Sequence, residues 1–474
     1  MSIPEIIFRA RKILERILYF LPASYNPRLN DFSANPSLFD LSGLNDSILI
    51  PCSVRIFGID FYFDNVPEID WHKDISSGER YPLIPSVKIN ILKNSNLSAK
   101  YVWELNRLQF LTGVCMNYRT TGDEKYLQLF IDINNSWCLQ NPYFYGINWY
   151  SNIEVNLRLV TWFICWELLE ADKLITSNTA FRFFVNNEWS LMIYQHCLYS
   201  YNHPSKYSSA NNHLISEYAG LFLASSKWNF NQSEKWCNYS KEGLEREIIK
   251  QHTPSGINRE EAAEYIQFIT DFFLLAYVVG ERSGNPFSAR YREMLLRIFR
   301  YIYDILDIKG NYPKYGDEDD GKCFTLDYKQ GFNNFSSLMT SAAIIFSDPV
   351  FKSKSHGLDN KNMFLFGEHG ALVFNDIPEG IFEENSRLYK EEGHFILRKR
   401  SSTREIFMHF DAAPLGFLSI AAHGHADALS FILHIDGYPF FIDSGTYTYH
   451  TEREWRNYFI GTLAHNTVRV NRKN

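Results

Sequence analysis

The chain has 474 residues, 45% of them hydrophobic and 21% charged, which is enough apolar material for more than one core and excludes a disordered polymer. The formal net charge is −7 and no basic run could track a phosphate backbone, so nucleic acid is excluded as the expected partner. Aromatic residues reach 16%, and such rings either fill large helical cores or stack on the apolar faces of sugars.

The first 26 residues alternate basic and apolar side chains at helical spacing. Their longest apolar run is too short for a signal-peptide core, so the expected location is the cytoplasm by default. No stretch approaches the ~20 apolar residues that span a bilayer. Residues 1–95 read as a mixed segment. From 96 to 346 the pattern is repeatedly helical. Val102, Leu105, Leu108, Leu111 and Val114 predict one helix, the 120–123 segment TTGD breaks it, and Tyr126 to Trp137 carry a second. A third runs through Ile153, Leu157, Val160 and Trp166. Helix pairs on short polar loops predict an α/α toroid or bundle, and no fixed-length repeat points to a solenoid.

Residues 347–363 read as a linker. Beyond it, 364–474 have a period near two and predict an antiparallel β-sandwich, with strands in FLFGEHGALVFND, HFILRKR, EIFMHF and ALSFILHIDGYPFFID. In the last of these, Leu429, Phe431, Leu433 and Ile435 share one face before an Asp436-Gly437 hairpin turn. The sequence stops nine residues after His465, which leaves the sandwich short. The seven cysteines are scattered without a CxxC pair and read as buried thiols.

Four clusters carry chemistry-bearing residues. Asn211-Asn212-His213 opens an apolar helix; capping accounts for one Asn, and the second Asn and the His invite function. In GINREEAAEY, residues 256–265, Glu260 and Glu261 suit a helix dipole and Tyr265 suits either a core or a site. His423-Gly424-His425-Ala426-Asp427 precedes Asp443 and His465. On an extended segment the two histidines face opposite ways, so one can ligate a metal while the other faces a cleft. His425, Asp443 and His465 supply an N/O set suited to zinc or a similar divalent ion. The acidic loop 315–321 lacks EF-hand spacing and reads as a solvated turn.

At these residues the chain resembles the heparinase II/III-like polysaccharide lyases along nearly its whole length. The phrases are VWELNR (102–107), NPYFYGINWYSNIEVNLR (141–158), NNHLISEYAGLFLA (211–224), the segment ending at Tyr265, HGHADALSF (423–431), DSGTYTYH (443–450), WRNYF (455–459) and AHNTV (464–468). The resemblance implies an α+β multidomain fold, an incomplete (α/α) toroid followed by an antiparallel β-sandwich. It also implies β-elimination of an acidic, uronic-acid-containing polysaccharide. In that chemistry a donor must neutralise the uronate carboxylate before the C5 proton can leave. By resemblance Asn212 with His213 is that donor, and Asn211 is the substrate-binding alternative should the register shift by one. Tyr265 and His423 are the acid/base pair, and Trp149 and Arg158 contact sugar and carboxylate. His425, Asp443 and His465 hold a structural divalent metal, expected to be zinc, with no organic cofactor. Such enzymes imply the periplasm or cell envelope as the alternative location. Ile460 stands where the family commonly has a basic residue. The competing readings are a glycoside hydrolase using Glu260, Glu261 or Asp319, which requires paired carboxylates, and a truncated, non-catalytic glycan-binding protein.

Overall fold

The computed structural model describes residues 4–10, 32–44, 49–93, 96–318, 320–380, 382, 385–401, 404–417, 422–449 and 451–473. Residues 4–10 are helical, and the rest of the N-terminal amphipathic stretch, residues 11–26, lies outside the described residues. The chain divides into two compact units, Met1–Leu38 with Asp46–Lys241 and Phe39–Asn45 with Glu242–Asn474.

The first unit is helical around a buried centre. The single helix expected through Val102 to Cys115 is two, α1 (Ala99–Asn106) and α2 (Leu111–Thr121). Leu108 takes a left-handed φ of 57° between them, which no continuous helix admits. The expected break at 120–123 is present: Gly122 ends α2 with φ 66°, and the Asp123 side chain accepts from Lys125 N (3.0 Å) to cap α3 (Glu124–Gln140). All of α4 (Asn152–Leu168) is buried. It lies between α5 (Ser190–Asn202) and α6 (Asn212–Lys227). Gly220 permits the close α4–α6 approach, since a Cβ there would sit 2.6 Å from Asn156 Oδ1.

The second unit takes up the chain within α7 (Ser233–Lys250). Its core helix is α8 (Ala263–Arg282), buried along most of its length. By length and composition α8 is apolar enough to cross a membrane, which the sequence reading did not anticipate; its burial is that of a core helix. Helices α9 (Ala289–Ile305) and α10 (Asn334–Phe346) follow. The expected linker contains the short helix Pro349–Lys352, and the expected strand at 364–376 is instead helix α11 (Asn360–Asp376), kinked at Gly367 and capped by Asp359 through Asn362 N. Phe364 and Leu365 are buried neighbours, as a helix face requires and an alternating strand does not.

The sheet is an antiparallel meander of β1 (Arg387–Tyr389), β2 (His394–Arg400), β3 (Glu405–Asp411), β4 (Phe431–Ile435) and β5 (Tyr438–Phe441). Asp436 and Gly437, with φ of 54° and 71°, close the predicted hairpin. The face carrying Phe431, Leu433 and Ile435 is only half-buried, and Leu429 lies outside the strand. The fully buried face sets Ile396, Phe407 and Ile432 among polar residues whose charged groups find partners. His434 meets Asp307 (2.9 Å), Arg398 meets Glu405 (3.1 Å), and His394 meets Glu261 (3.0 Å).

Candidate active site and metal centre

Four stretches of the second unit converge. The turn before α8 supplies Glu260 and, one helical turn on, Tyr265. The Tyr265 ring stacks on His423 with centroids 4.2 Å apart and planes 29° from parallel. Its hydroxyl lies 3.2 Å from that of Tyr449, which in turn donates to Glu318 O (3.3 Å). His423 Nδ1 lies 3.2 Å from Asp317 Oδ2, and its Nε2 is 3.6 Å from a Glu260 carboxylate oxygen. A histidine that donates from Nδ1 to a fixed carboxylate keeps Nε2 as the basic nitrogen, the arrangement of an oriented general base.

Asp317 is the hub, and the sequence reading missed it by treating its loop as a solvated turn. It is fully buried. Beyond His423, it accepts from His425 Nε2 (3.0 Å), Thr446 Oγ1 (2.9 Å) and both terminal nitrogens of Arg456, Nη2 at 2.9 Å. Burial alone would raise its proton affinity. The hydrogen bonds from His423, His425 and Arg456, with the Arg456 charge, outweigh that and hold the carboxyl far below the usual range. Its backbone N–H donates to His423 O (2.9 Å). Both histidines therefore turn toward one carboxylate. The expected opposite-facing arrangement fails because this segment is a loop, not an extended strand.

Arg456 also lies 5.1 Å from the Tyr449 ring centroid and sits on α12 (Arg453–Phe459). The same helix and the loop before it present Tyr447, Trp455, Tyr458 and Phe459 as one cluster of ring contacts, with the Tyr447 and Phe459 centroids 5.9 Å apart. Tyr447, Trp455 and Tyr458 are about half exposed.

Next to the hub is a metal-like constellation. One ligand atom from each of His425, Asp427 and His465 lies within 4.8 Å of the other two. Asp443, expected as the third ligand, instead sits behind His465, whose Nδ1 is 2.6 Å from its carboxylate. With the far nitrogens taken by Asp317 and Asp443, His425 Nδ1 and His465 Nε2 remain buried without a hydrogen-bond partner. Two bare imidazole nitrogens beside a carboxylate, each ring backed by another carboxylate, fit a divalent cation.

The remaining expected residues lie in the first unit. Asn211 caps α6, its side chain accepting from His213 N (3.3 Å), so capping accounts for it. Asn212 opens the helix and is buried, with His213 half-buried beside it. Trp149 and Arg158 do not present a sugar-binding surface. Trp149 is buried against His196 and Tyr199 and donates to Asn141 O (3.2 Å). Arg158 is fully buried and donates to His196 Nε2 (2.9 Å), Asn106 O (3.2 Å) and Asn148 O (2.7 Å). Of the carboxylates a hydrolase would pair, Glu261 is bound to His394 and Asp319 lies outside the described residues.

The sequence pattern described as heparinase II/III N-terminus matches residues 52–341, and that described as heparinase II/III-like, C-terminal, matches residues 383–474. The chain belongs to the heparinase II/III family. Among known proteins it is similar to a heparin-sulfate lyase of Bacteroides thetaiotaomicron, 24% identical over 404 residues covering 80% of this chain and 52% of that protein. A heparin-sulfate lyase of Pedobacter heparinus is 23% identical over 385 residues, covering 78% and 52%. The chain thus spans about half the length of the curated relatives it matches. Among solved structures, a heparinase III aligns with TM-score 0.62 at 20% identity over 86% of this chain and 61% of that one. The heparan sulfate lyase HepC from Pedobacter heparinus aligns with TM-score 0.54 at 20% identity over 89% and 59%. The fold class is therefore an incomplete α/α toroid followed by an antiparallel β-sandwich, to which the described residues contribute one five-stranded sheet.

Proposed function

We propose that this protein is a polysaccharide lyase that cleaves an acidic glycosaminoglycan by β-elimination. The observation that carries the reading is the Tyr265–His423 stack with Asp317 fixed behind the histidine. Two proton-transfer groups lie side by side, as the reaction needs: one removes the proton from C5 of the uronate, and one protonates the oxygen leaving C4. The C5–H electron pair becomes the C4–C5 double bond as the C4–O bond breaks. In this reading His423 Nε2 and the Tyr265 hydroxyl divide those roles, which one acts as base depending on the face that carries the C5 proton.

Neutralisation of the carboxylate is assigned to Asn212 with His213, on their place in the family-like phrase at the head of α6. The half-exposed Tyr447, Trp455 and Tyr458 offer stacking faces for neighbouring sugars. His425, Asp427 and His465 would hold a divalent cation, zinc by the N/O donor set, and its contribution is to tie the 425 and 465 loops together. The names of the relatives favour a heparan-type chain over other uronic-acid polymers.

Incubation with heparan sulfate, heparin, chondroitin sulfate, hyaluronan and alginate should raise ultraviolet absorbance from the unsaturated product with at least one of them. Tyr265→Phe should lower that rate on the order of 10²- to 10⁴-fold while glycan binding persists. Retention of full activity by Tyr265→Phe would remove the tyrosine from the mechanism, and sugar release without the absorbance would replace elimination by hydrolysis.

A further inference from the structure

Behind the turn that carries Glu260 lies a chain of buried titratable side chains that the elimination does not use. Glu261 adopts a left-handed φ of 53°, a conformation that is strained for a non-glycine residue and persists only where its surroundings impose it. Three contacts impose it. Its carboxylate meets His394 Nε2 at 3.0 Å. Its carbonyl oxygen is packed so closely by Gly316 that a Cβ there would lie 2.2 Å away. Two residues on, Ala263 N donates to Tyr315 O (3.0 Å), fixing the first turn of α8 to the same loop that carries Asp317.

His394 is itself held from behind. Its Nδ1 is 3.0 Å from His409 Nε2 on the next strand, and the Tyr315 ring stacks on His409 at 5.0 Å and 16°. His394, His409 and Tyr315 are buried. Burial alone would drive the His394 proton off, but the hydrogen bond and charge of Glu261, with the charges of Asp411 and Glu392, raise its proton affinity overall. His409, by burial and then by the charge on His394, is held neutral. A charged His394 donates from both nitrogens, to Glu261 and to His409. The sheet thereby grips the turn through one imidazolium.

We infer that His394, backed by His409, is a positioning residue for the acid/base pair: by clamping Glu261 it sets the turn that places Glu260 and Tyr265 against His423. This role in turnover rests on the lyase reading; the clamp on the turn does not. A shift of the Tyr265 ring by a fraction of its 4.2 Å stacking distance would misalign the two proton-transfer groups, and misplacements of about 1 Å cost on the order of 10²-fold in rate.

The test uses the full chain carrying His394→Ala, His394→Gln or Tyr265→Phe, with two readouts. The first is kcat and KM for the glycan that the absorbance assay identifies. The second is hydrogen exchange of the Ala263 amide. His394→Ala should lower kcat on the order of 10- to 100-fold with KM nearly unchanged. His394→Gln, whose side-chain N–H can still donate to Glu261, should recover most of that loss. The Ala263 amide should exchange about tenfold faster in His394→Ala and at the wild-type rate in Tyr265→Phe. Wild-type kcat in folded His394→Ala, or no rescue by Gln, overturns the inference. If the wild type turns over no glycan, the lyase reading fails by itself, and the exchange rate still decides the clamp: unchanged protection at Ala263 overturns it, and faster exchange supports it. Should His394→Ala fail to fold, Glu261→Ala compared with Glu261→Gln reads the same clamp from its other end.

Discussion

Each unit of this molecule buries a charge, and the two charges are satisfied in opposite ways. In the first, the Arg158 guanidinium is surrounded by backbone carbonyls of Asn106 and Asn148, the ring of Trp137 and a neutral His196. Burial pulls its proton affinity down to about 9, and burial with the arginine charge keeps His196 well below its usual range. In the second, Asp317 is surrounded by side chains that hold or move protons: His423, His425, Thr446 and Arg456. Carbonyls and indoles cannot change state, and burial with the arginine charge keeps His196 from gaining a proton, so the Arg158 centre is scaffold. Histidines beside a permanently ionised carboxylate can, so the Asp317 centre is a place for chemistry.

Three measurements break or sharpen that contrast. The largest effect is expected from Asp317→Asn. It should reduce lyase turnover on the order of 10³-fold or more by releasing His423, and lower stability by about 3 kcal/mol by leaving Arg456 without its anion. An active, stable variant would remove Asp317 from the centre of the site. Arg158→Met should lower stability comparably, by about 2–4 kcal/mol in denaturant unfolding, because His196 Nε2 and two carbonyls lose their donor. Its folded fraction should keep kcat within about threefold of wild type, and a much larger loss at normal stability would make Arg158 part of the site.

The smallest effect concerns His252, a buried histidine of the scaffold kind. Its Nδ1 lies 2.9 Å from Ile248 O, and burial pushes its pKa down to about 4. The unfolded chain protonates this group near 6.5 and the folded chain only near 4, so between those values the unfolded state binds more protons. Stability from this residue is fully present above about pH 6.5 and is lost as pH falls through 4, with a slope of at most about 1.4 kcal/mol per pH unit. His252→Gln should flatten that portion of the stability–pH curve; an unchanged slope would mean another group carries it.

Much of this was legible from local pattern. Helices α3, α4 and α6, the Gly122-Asp123 break, the Asp436-Gly437 turn and strands β2 to β4 follow from periodicity and turn chemistry, which depend on neighbours a few residues apart. The helix α11 did not follow, because its apolar residues suit either period and only packing of Phe364 and Leu365 chooses between them. Residue type and context also marked His423, His425 and His465 as chemistry-bearing, and the family resemblance marked Tyr265, before any contact was known. What it could not carry is who meets whom. Asp317 lies 106 positions before His423 and looks like one acid in a solvated run until the fold buries it. Asp427 rather than Asp443 joins the two metal-facing histidines because loop geometry, not spacing, turns each ring. Trp149 and Arg158 carry the residue types of a sugar site, yet burial on every side makes them scaffold. Residue type determines which chemistry is available. Burial and partners, set by contacts between residues far apart in the chain, decide which of it the protein can use.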